Sequence, residues 1–224
     1  MLKIRVFEQE EKWFCGPAVV QSVLEYFGIK MSQKEIAKGC GTSKMYGTSL
    51  VGMAIFLKKL GLKPRLIIFD PEIIDPTWSK LSKKILAEKL SKRLKAVKPK
   101  KRTKRVYELL IEYLKNNGEV FLKIPGKELI TEALRRNEIP IIAVCNKIFY
   151  KTIRTYKNRP DDIKGGYGGH IVIVKGYKNG KFFVADPLKQ KRKISEDELL
   201  FSWFYWGGWL LLVGRGGRNG KENS

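Results

Sequence analysis

The sequence predicts an α+β fold: a helical N-terminal part packed on an antiparallel sheet, with a basic helical hairpin inserted between them. Three observations carry this. Apolar residues recur at spacings of three and four over much of residues 15–60. From residue 120 onward, short apolar runs alternate with turn signals, which reads mainly as strands. Between Lys80 and Arg105 stand 13 Lys or Arg and one acid, Glu88, a local net of +12 that is about half of the formal +23.

The elements follow in order. Residues 2–7 alternate apolar and charged and predict a short strand. A helix starts at Cys15-Gly16-Pro17-Ala18, because Pro17 suits a first turn whose N–H groups have no partner anyway. Val19, Val20, Val23, Leu24 and Phe27 give it one apolar face, and Gly28 stops it. Ser32 with Glu35 is a capping box for a short helix. Thr48 or Ser49 opens a further helix, closed by Gly61, and 66–69 reads as a buried strand.

Residues 78–118 form the hairpin. Leu81, Ile85, Leu86, Leu90, Leu94 and Val97 make one apolar stripe; Val106, Leu110, Tyr113 and Leu114 make the second. After it come a strand at 120–124, a helix at 127–136 and a strand at 139–144. A polar loop over 150–169 ends in Gly165-Gly166-Tyr167-Gly168-Gly169. Strands at 170–177 and 181–185 are joined by Lys178-Asn179-Gly180. Ser195 with Glu198 caps a short helix, and 209–213 is the last strand. Residues 1–214 therefore read as one domain, 78–118 as an insertion within it, and 215–224 as a disordered tail.

Composition bounds the function. With 43% hydrophobic residues the chain can bury a core. The start is charged and carries no secretory pattern. The longest uncharged apolar run, 199–213, is interrupted by Gly207-Gly208 and falls short of the roughly 20 residues that span a bilayer. Three cysteines without regular spacing make no disulfide framework, which points to a reduced, cytoplasmic setting. A single His and no Cys pair at ligand spacing predict no metal. The charge predicts contact with a polyanion through the segment between Lys80 and Arg105: nucleic acid, acidic protein or an anionic membrane surface.

Four residues carry candidate chemistry. Cys15 at a helix start sits where backbone N–H groups favour a thiolate. Gln9, six residues earlier, can aim a side-chain N–H at the same place as the Cys15 N–H, which makes an oxyanion hole. His170, the only His, opens a β run, and Asp186 follows the next strand. Two antiparallel neighbours can set them side by side, with the carboxylate fixing the imidazole and the other ring nitrogen left for Cys15. Taken singly, each has a plainer reading: a buried thiol, a structural His, a turn Asp before Pro187.

Together these motifs resemble the bacteriocin-processing, double-glycine type of papain-like cysteine peptidase and its broader relatives. The matching residues are Gln9-x5-Cys15-Gly16-Pro17-Ala18, Gly47-Thr48-Ser49, Gly169-His170-Ile171-Val172-Ile173-Val174-Lys175-Gly176-Tyr177 and Val184-Ala185-Asp186-Pro187. The resemblance covers most of the chain outside 78–118. It implies a papain-like fold and a hydrolase with Cys15 as nucleophile, His170 as base and acid, Asp186 as its orienter and Gln9 as oxyanion donor. The substrate is then a peptide or other acyl compound, with no organic cofactor.

Alternatives share the residues. The acyl-enzyme can pass to an amine, giving an acyl transferase. A binding module is the other reading, with the hairpin cations and nearby Tyr107 and Tyr113 on nucleic acid or an acidic partner. Trp203, Phe204, Tyr205, Trp206 and Trp209 read as core packing of the terminal helix and strand. Cys40 and Cys145 read as buried thiols.

Overall fold

A computed structural model describes residues 1–189 and 192–215. The tail expected at 215–224 lies outside them apart from Arg215. Three helices come first: α1 (Cys15–Tyr26), α2 (Gln33–Gly39) and α3 (Leu50–Lys59). The expected capping box of α2 is present, with Ser32 and Glu35 each bonding the other's backbone N–H. Ser49 caps α3 by accepting from the Gly52 N–H. Strand β1 (Lys63–Ile68) follows, then helices α4 (Lys83–Val97) and α5 (Lys101–Lys115), then β2 (Glu119–Leu122) and α6 (Lys127–Arg135). Next come β3 (Ile139–Cys145), α7 (Asn146–Tyr150) and the short pair β4 (Thr155–Tyr156) and β5 (Arg159–Pro160). The chain closes with β6 (Gly169–Lys178), β7 (Lys181–Ala185), β8 (Lys193–Ser195), α8 (Glu196–Phe204) and β9 (Leu210–Gly214).

The main sheet has the order β2-β1-β9-β3-β6-β7-β8. Every ladder is antiparallel except β1 with β2. Asn179 and Gly180 both have positive φ (52° and 70°), as the tight β6–β7 turn requires.

Both faces of the sheet are covered. Leu66, Ile68, Ile141, Ile171, Ile173, Leu211 and Val213 pack with α1, α3, α4 and α5. Ile67, Ile142, Val144, Val172, Val174, Leu210 and Leu212 pack with α6, α7 and α8. This is why β3 is apolar almost throughout: a strand buried on two sides needs no alternation.

Several expectations are corrected. Residues 2–7 are not a strand. Leu2 and Ile4 are buried, but the segment makes one ladder-like bond, Leu2 N–H to the Lys175 carbonyl at 2.7 Å. That carbonyl lies where the β6–β7 register shifts between Val174 and Gly176, so it is skipped by β7. The segment at 150–169 is not all loop, since α7 ends at Tyr150 and β4–β5 lie within it. Ser195 stands at the N-cap of α8 without a side-chain cap, and the Glu198 carboxylate pairs with Lys151.

In the hairpin region, Ile85 and Val97 are exposed, while Leu86, Ala87 and Leu90 are buried. Tyr107 and Tyr113 are not available to a nucleic acid. Both are fully buried, and their hydroxyls donate to the carbonyls of Glu72 (2.9 Å) and Pro64 (2.6 Å). Of the aromatic cluster, Trp203 is core and Trp209 is tied to Asp70 at 3.0 Å, but Phe204 and Tyr205 are exposed. No helix among the described residues is long and apolar enough to cross a membrane.

Candidate active site

The site forms at one end of the sheet, where β3 and β7 end and β6 begins. The start of α1 lies against it. Phe14 closes a turn onto the Glu11 carbonyl (2.9 Å), and Ala18 makes the first helical bond, to the Phe14 carbonyl (2.9 Å). Pro17 has no N–H to satisfy, so the N–H groups of Cys15 and Gly16 are the ones left without a carbonyl one turn behind them. Gly16 is required there: a Cβ would stand 2.5 Å from Thr48 Cβ. Thr48 is in turn bonded to Thr42 at 2.8 Å. The Cys15 side chain is half-buried beside this contact.

His170, the second residue of β6, pairs with Val144 and is buried. Its Nε2 lies 2.8 Å from Asp186 Oδ1. Asp186 directly follows β7. Ile173 pairs with Ala185, so extending the ladder sets Asp186 opposite Val172, diagonal to His170 on the same face. Asp186 Oδ1 also accepts from the Leu188 N–H (3.0 Å) and from the Tyr150 hydroxyl (2.8 Å).

The electrostatics follow from these contacts. Burial pulls the His170 imidazolium down. Hydrogen bonds to Asp186 and Cys15, with their charges, outweigh it and push His170 up to about 9. Cys15 is thus close enough to the ring to act on its charge, and Asp186 takes Nε2, which leaves Nδ1 without a claim from the carboxylate. Burial works against the Asp186 carboxylate too, but His170, Leu188 and Tyr150 hold it below the usual range. Burial and Asp186 push the Tyr150 phenol well above its ordinary value. Burial alone pushes the Cys40 thiol up to about 12, while Cys145 is a buried thiol at the end of β3.

Gln9 is near this assembly but does not present a donor to it. Its Nε2 donates to the carbonyls of Glu11 (2.8 Å) and Lys12 (3.1 Å), and its Oε1 is buried without a partner. The turn over residues 10–13 aims two carbonyls at the amide, and the amide serves as their cap. Its backbone N–H bonds the Pro187 carbonyl (3.1 Å), so Gln9 also ties the approach to α1 to the residue after Asp186.

Tyr150 escaped sequence reading because it lies in a segment that looks like loop. Two further supports escaped it. Asn146 accepts from Gly168 N–H at 3.0 Å and donates its own N–H to the Gly168 carbonyl at 2.9 Å, pinning the glycine-rich approach to His170. Trp206 lies on Gly169, where a Cβ would come within 2.5 Å of the indole. Among the described residues no three His, Cys, Asp or Glu come together in a way that could hold a metal ion. A cavity of about 950 Å³ at the opposite end of the sheet, lined by Tyr26, Pro64, Arg65 and Glu138, includes none of the four candidate residues.

Residues 3–94 match the Peptidase C39 family. That span holds Gln9 and Cys15 and ends before His170 and Asp186. The chain is similar in fold to a putative C39-like peptidase from Bacillus anthracis, at 11% identity over 95% of each chain with a TM-score of 0.53. It also aligns with the peptidase domain of Streptococcus ComA, a bi-functional ABC transporter involved in a quorum sensing pathway. There the identity is 18%, over 94% of this chain and 98% of that one, with a TM-score of 0.47. A double glycine motif protease from an AMS/PCAT transporter, in complex with its leader peptide, aligns at 18% identity over 94% and 91%, with a TM-score of 0.48. No curated protein matches the chain in sequence. The Bacillus anthracis likeness shows the C39-like, papain-like fold, and the family match agrees with the resemblance carried by the Cys15 motif.

Proposed function

We propose that this chain is a cysteine peptidase that cleaves a peptide bond through a thioester on Cys15. The observation that carries the reading is the chain of contacts Cys15–His170–Asp186, with a buried imidazole held at 2.8 Å by its carboxylate and a thiol at a helix start. The Cys15 thiolate attacks the carbonyl carbon, and a C–S bond forms as the oxygen takes the negative charge. The Cys15 N–H receives that oxygen. Gln9 supplies the second donor by releasing its longer bond, to Lys12, while keeping the one to Glu11. The His170 imidazolium gives its proton to the leaving nitrogen and the C–N bond breaks. Water then attacks the thioester carbon as His170 takes its proton, the C–S bond breaks, and the acid leaves with the Cys15 thiolate and His170 imidazolium restored.

The test is the rate of Cys15 alkylation by iodoacetamide against pH, read by peptide mass spectrometry, with Cys40 and Cys145 as internal controls. Fast reaction at Cys15 that His170→Ala abolishes supports the pair. A Cys15 as inert as the other two thiols overturns the peptidase reading. Hydrolysis of peptide substrates must in addition vanish in Cys15→Ala.

A further inference from the structure

We propose that the N-terminal end of α5 is one wall of the substrate cleft and that it selects a peptide segment carrying acidic side chains. This deepens the peptidase reading and rests on it. Two contacts bring that end of the helix to the site from both sides. The Arg102 guanidinium lies 5.2 Å over the ring of Trp206, and Trp206 covers Gly169, the residue before His170. Arg105 donates to the Gly41 carbonyl at 2.5 Å. Gly41 precedes Thr42, whose partner Thr48 packs on Gly16 beside Cys15. One turn of helix therefore touches the flank of the histidine and the flank of the thiol.

Its charge is mostly uncompensated. Lys100, Lys101, Arg102, Lys104 and Arg105 stand at the start of α5, with no acid in its first turn and no side-chain cap. Among the described residues, the only ion pair made by these five is Lys104 with Glu108 at 3.8 Å. Cations at the positive end of a helix disfavour one another and the helix dipole, so an anion there relieves both. Arg102 is the residue built to receive it. Its face is held by the indole, which leaves the planar edge of N–H groups outward, the geometry that grips a carboxylate with two bonds. A second cation–aromatic pair, Lys44 at 5.1 Å over Trp13, stands two residues from Cys15. The aromatic wall continues through Tyr167 and Tyr205, both exposed and 5.2 Å apart. Extended peptide suits such a surface: side-chain carboxylates meet the guanidinium while the backbone lies along the rings.

The experiment measures protection of Cys15 from iodoacetamide in the intact chain by hexaglutamate, with hexaglutamine as the neutral counterpart. Each variant is normalised to its own rate without peptide. Hexaglutamate should protect at a concentration about tenfold lower than hexaglutamine, the effect of one well-made charged contact, and the advantage should fall with added salt. Arg102→Glu should erase it. Lys178→Glu, which makes the same charge change at the far end of β6, should leave it. Equal protection by the two peptides, or an advantage that survives in Arg102→Glu or falls equally in Lys178→Glu, overturns the proposal. So does a single-stranded hexanucleotide that protects better than hexaglutamate, which would assign the surface to nucleic acid. Failure of the peptidase reading looks different: Cys15 would then react no faster than Cys40 before any peptide is added.

Discussion

Tyr150 and His170 share one oxygen: both make a 2.8 Å bond to Asp186 Oδ1. They compete for the same electron density. A donor that steadies the carboxylate weakens its hold on the imidazolium, and this is how Tyr150 moderates the site. Tyr150→Phe removes the hydroxyl and keeps the ring, 5.6 Å from the imidazole. The Asp186 carboxylate then binds His170 more strongly. The alkaline limb of kcat/KM should move up in pH, while kcat falls by roughly tenfold because the carboxylate loses a bond that fixes its position. A purely structural role for Tyr150 predicts a loss of rate with no movement of the limb, so the pH profile separates the two.

The pH dependence has a definite sign. His170 is raised from 6.5 to about 9. Its protonated form therefore adds stability that is fully present below about 6.5 and is lost as pH rises through about 9. Asp186 is depressed, so its contribution is present above the ordinary carboxylate value and is lost as pH falls through its lowered one. In Asp186→Asn the burial of His170 is opposed only by Cys15. The alkaline limb should drop from about 9 toward 6.5, and turnover should fall on the order of 10²-fold or more. Thermal melts should show a wild-type advantage of roughly 3 kcal/mol near pH 6 that shrinks toward pH 9.5. An advantage that does not change with pH would sink this account.

The residues that were legible in the sequence each coincide with a local signal. Cys15 sits at a helix start marked by Pro17. His170 is unique and opens an apolar strand, and Asp186 follows a strand that a tight turn ties to the first. Tyr150 has no such signal, because its bond to Asp186 spans 36 residues and belongs to tertiary packing. The direction of the Gln9 amide was equally hidden, since spacing places a residue and leaves its hydrogens unassigned. Tyr107 was misread because cations flank it in sequence. Its spacing to Leu110 and Leu114, three and seven residues on, puts it on their buried face. The helices at 127–136 and after Ser195 were legible, but that they cover a second face of the sheet was not, for another reason. A continuous apolar strand such as β3 does not say whether one or both of its sides are covered.

Gln9 offers a test that separates loop support from chemistry. Gln9→Ala removes both bonds to the turn and the proposed oxyanion donor. Its turnover should fall on the order of 10²–10³-fold. Gln9→Glu keeps the side chain's size but sets a carboxylate against the Glu11 and Lys12 carbonyls, and it brings negative charge toward a developing oxyanion. It should be at least as inactive as Gln9→Ala. If Gln9 only held the turn, Gln9→Ala would lower the melting temperature and leave kcat nearly intact.

Tyr107 tests how far the basic helices belong to the core. Its hydroxyl donates to the Glu72 carbonyl at 2.9 Å and accepts from Arg93 Nε at 2.9 Å, so it joins α4, α5 and the segment after β1. Tyr107→Phe removes the hydroxyl's bonds to the Glu72 carbonyl and to Arg93, leaving the two that Arg93 Nε (3.2 Å) and Nη2 (2.8 Å) donate to that carbonyl, and should cost about 1–2 kcal/mol. Tyr107→Ala opens a cavity in a fully buried position and should cost about 3–5 kcal/mol. Excision of 78–118 goes further, because Leu86, Leu90, Tyr107, Leu110, Tyr113 and Leu114 share one continuous core with α3 and β1. The shortened chain should lose cooperative unfolding rather than survive as a smaller domain. A shortened chain that melts cooperatively, with Cys15 still reactive, would show instead that the hairpin is a separable attachment.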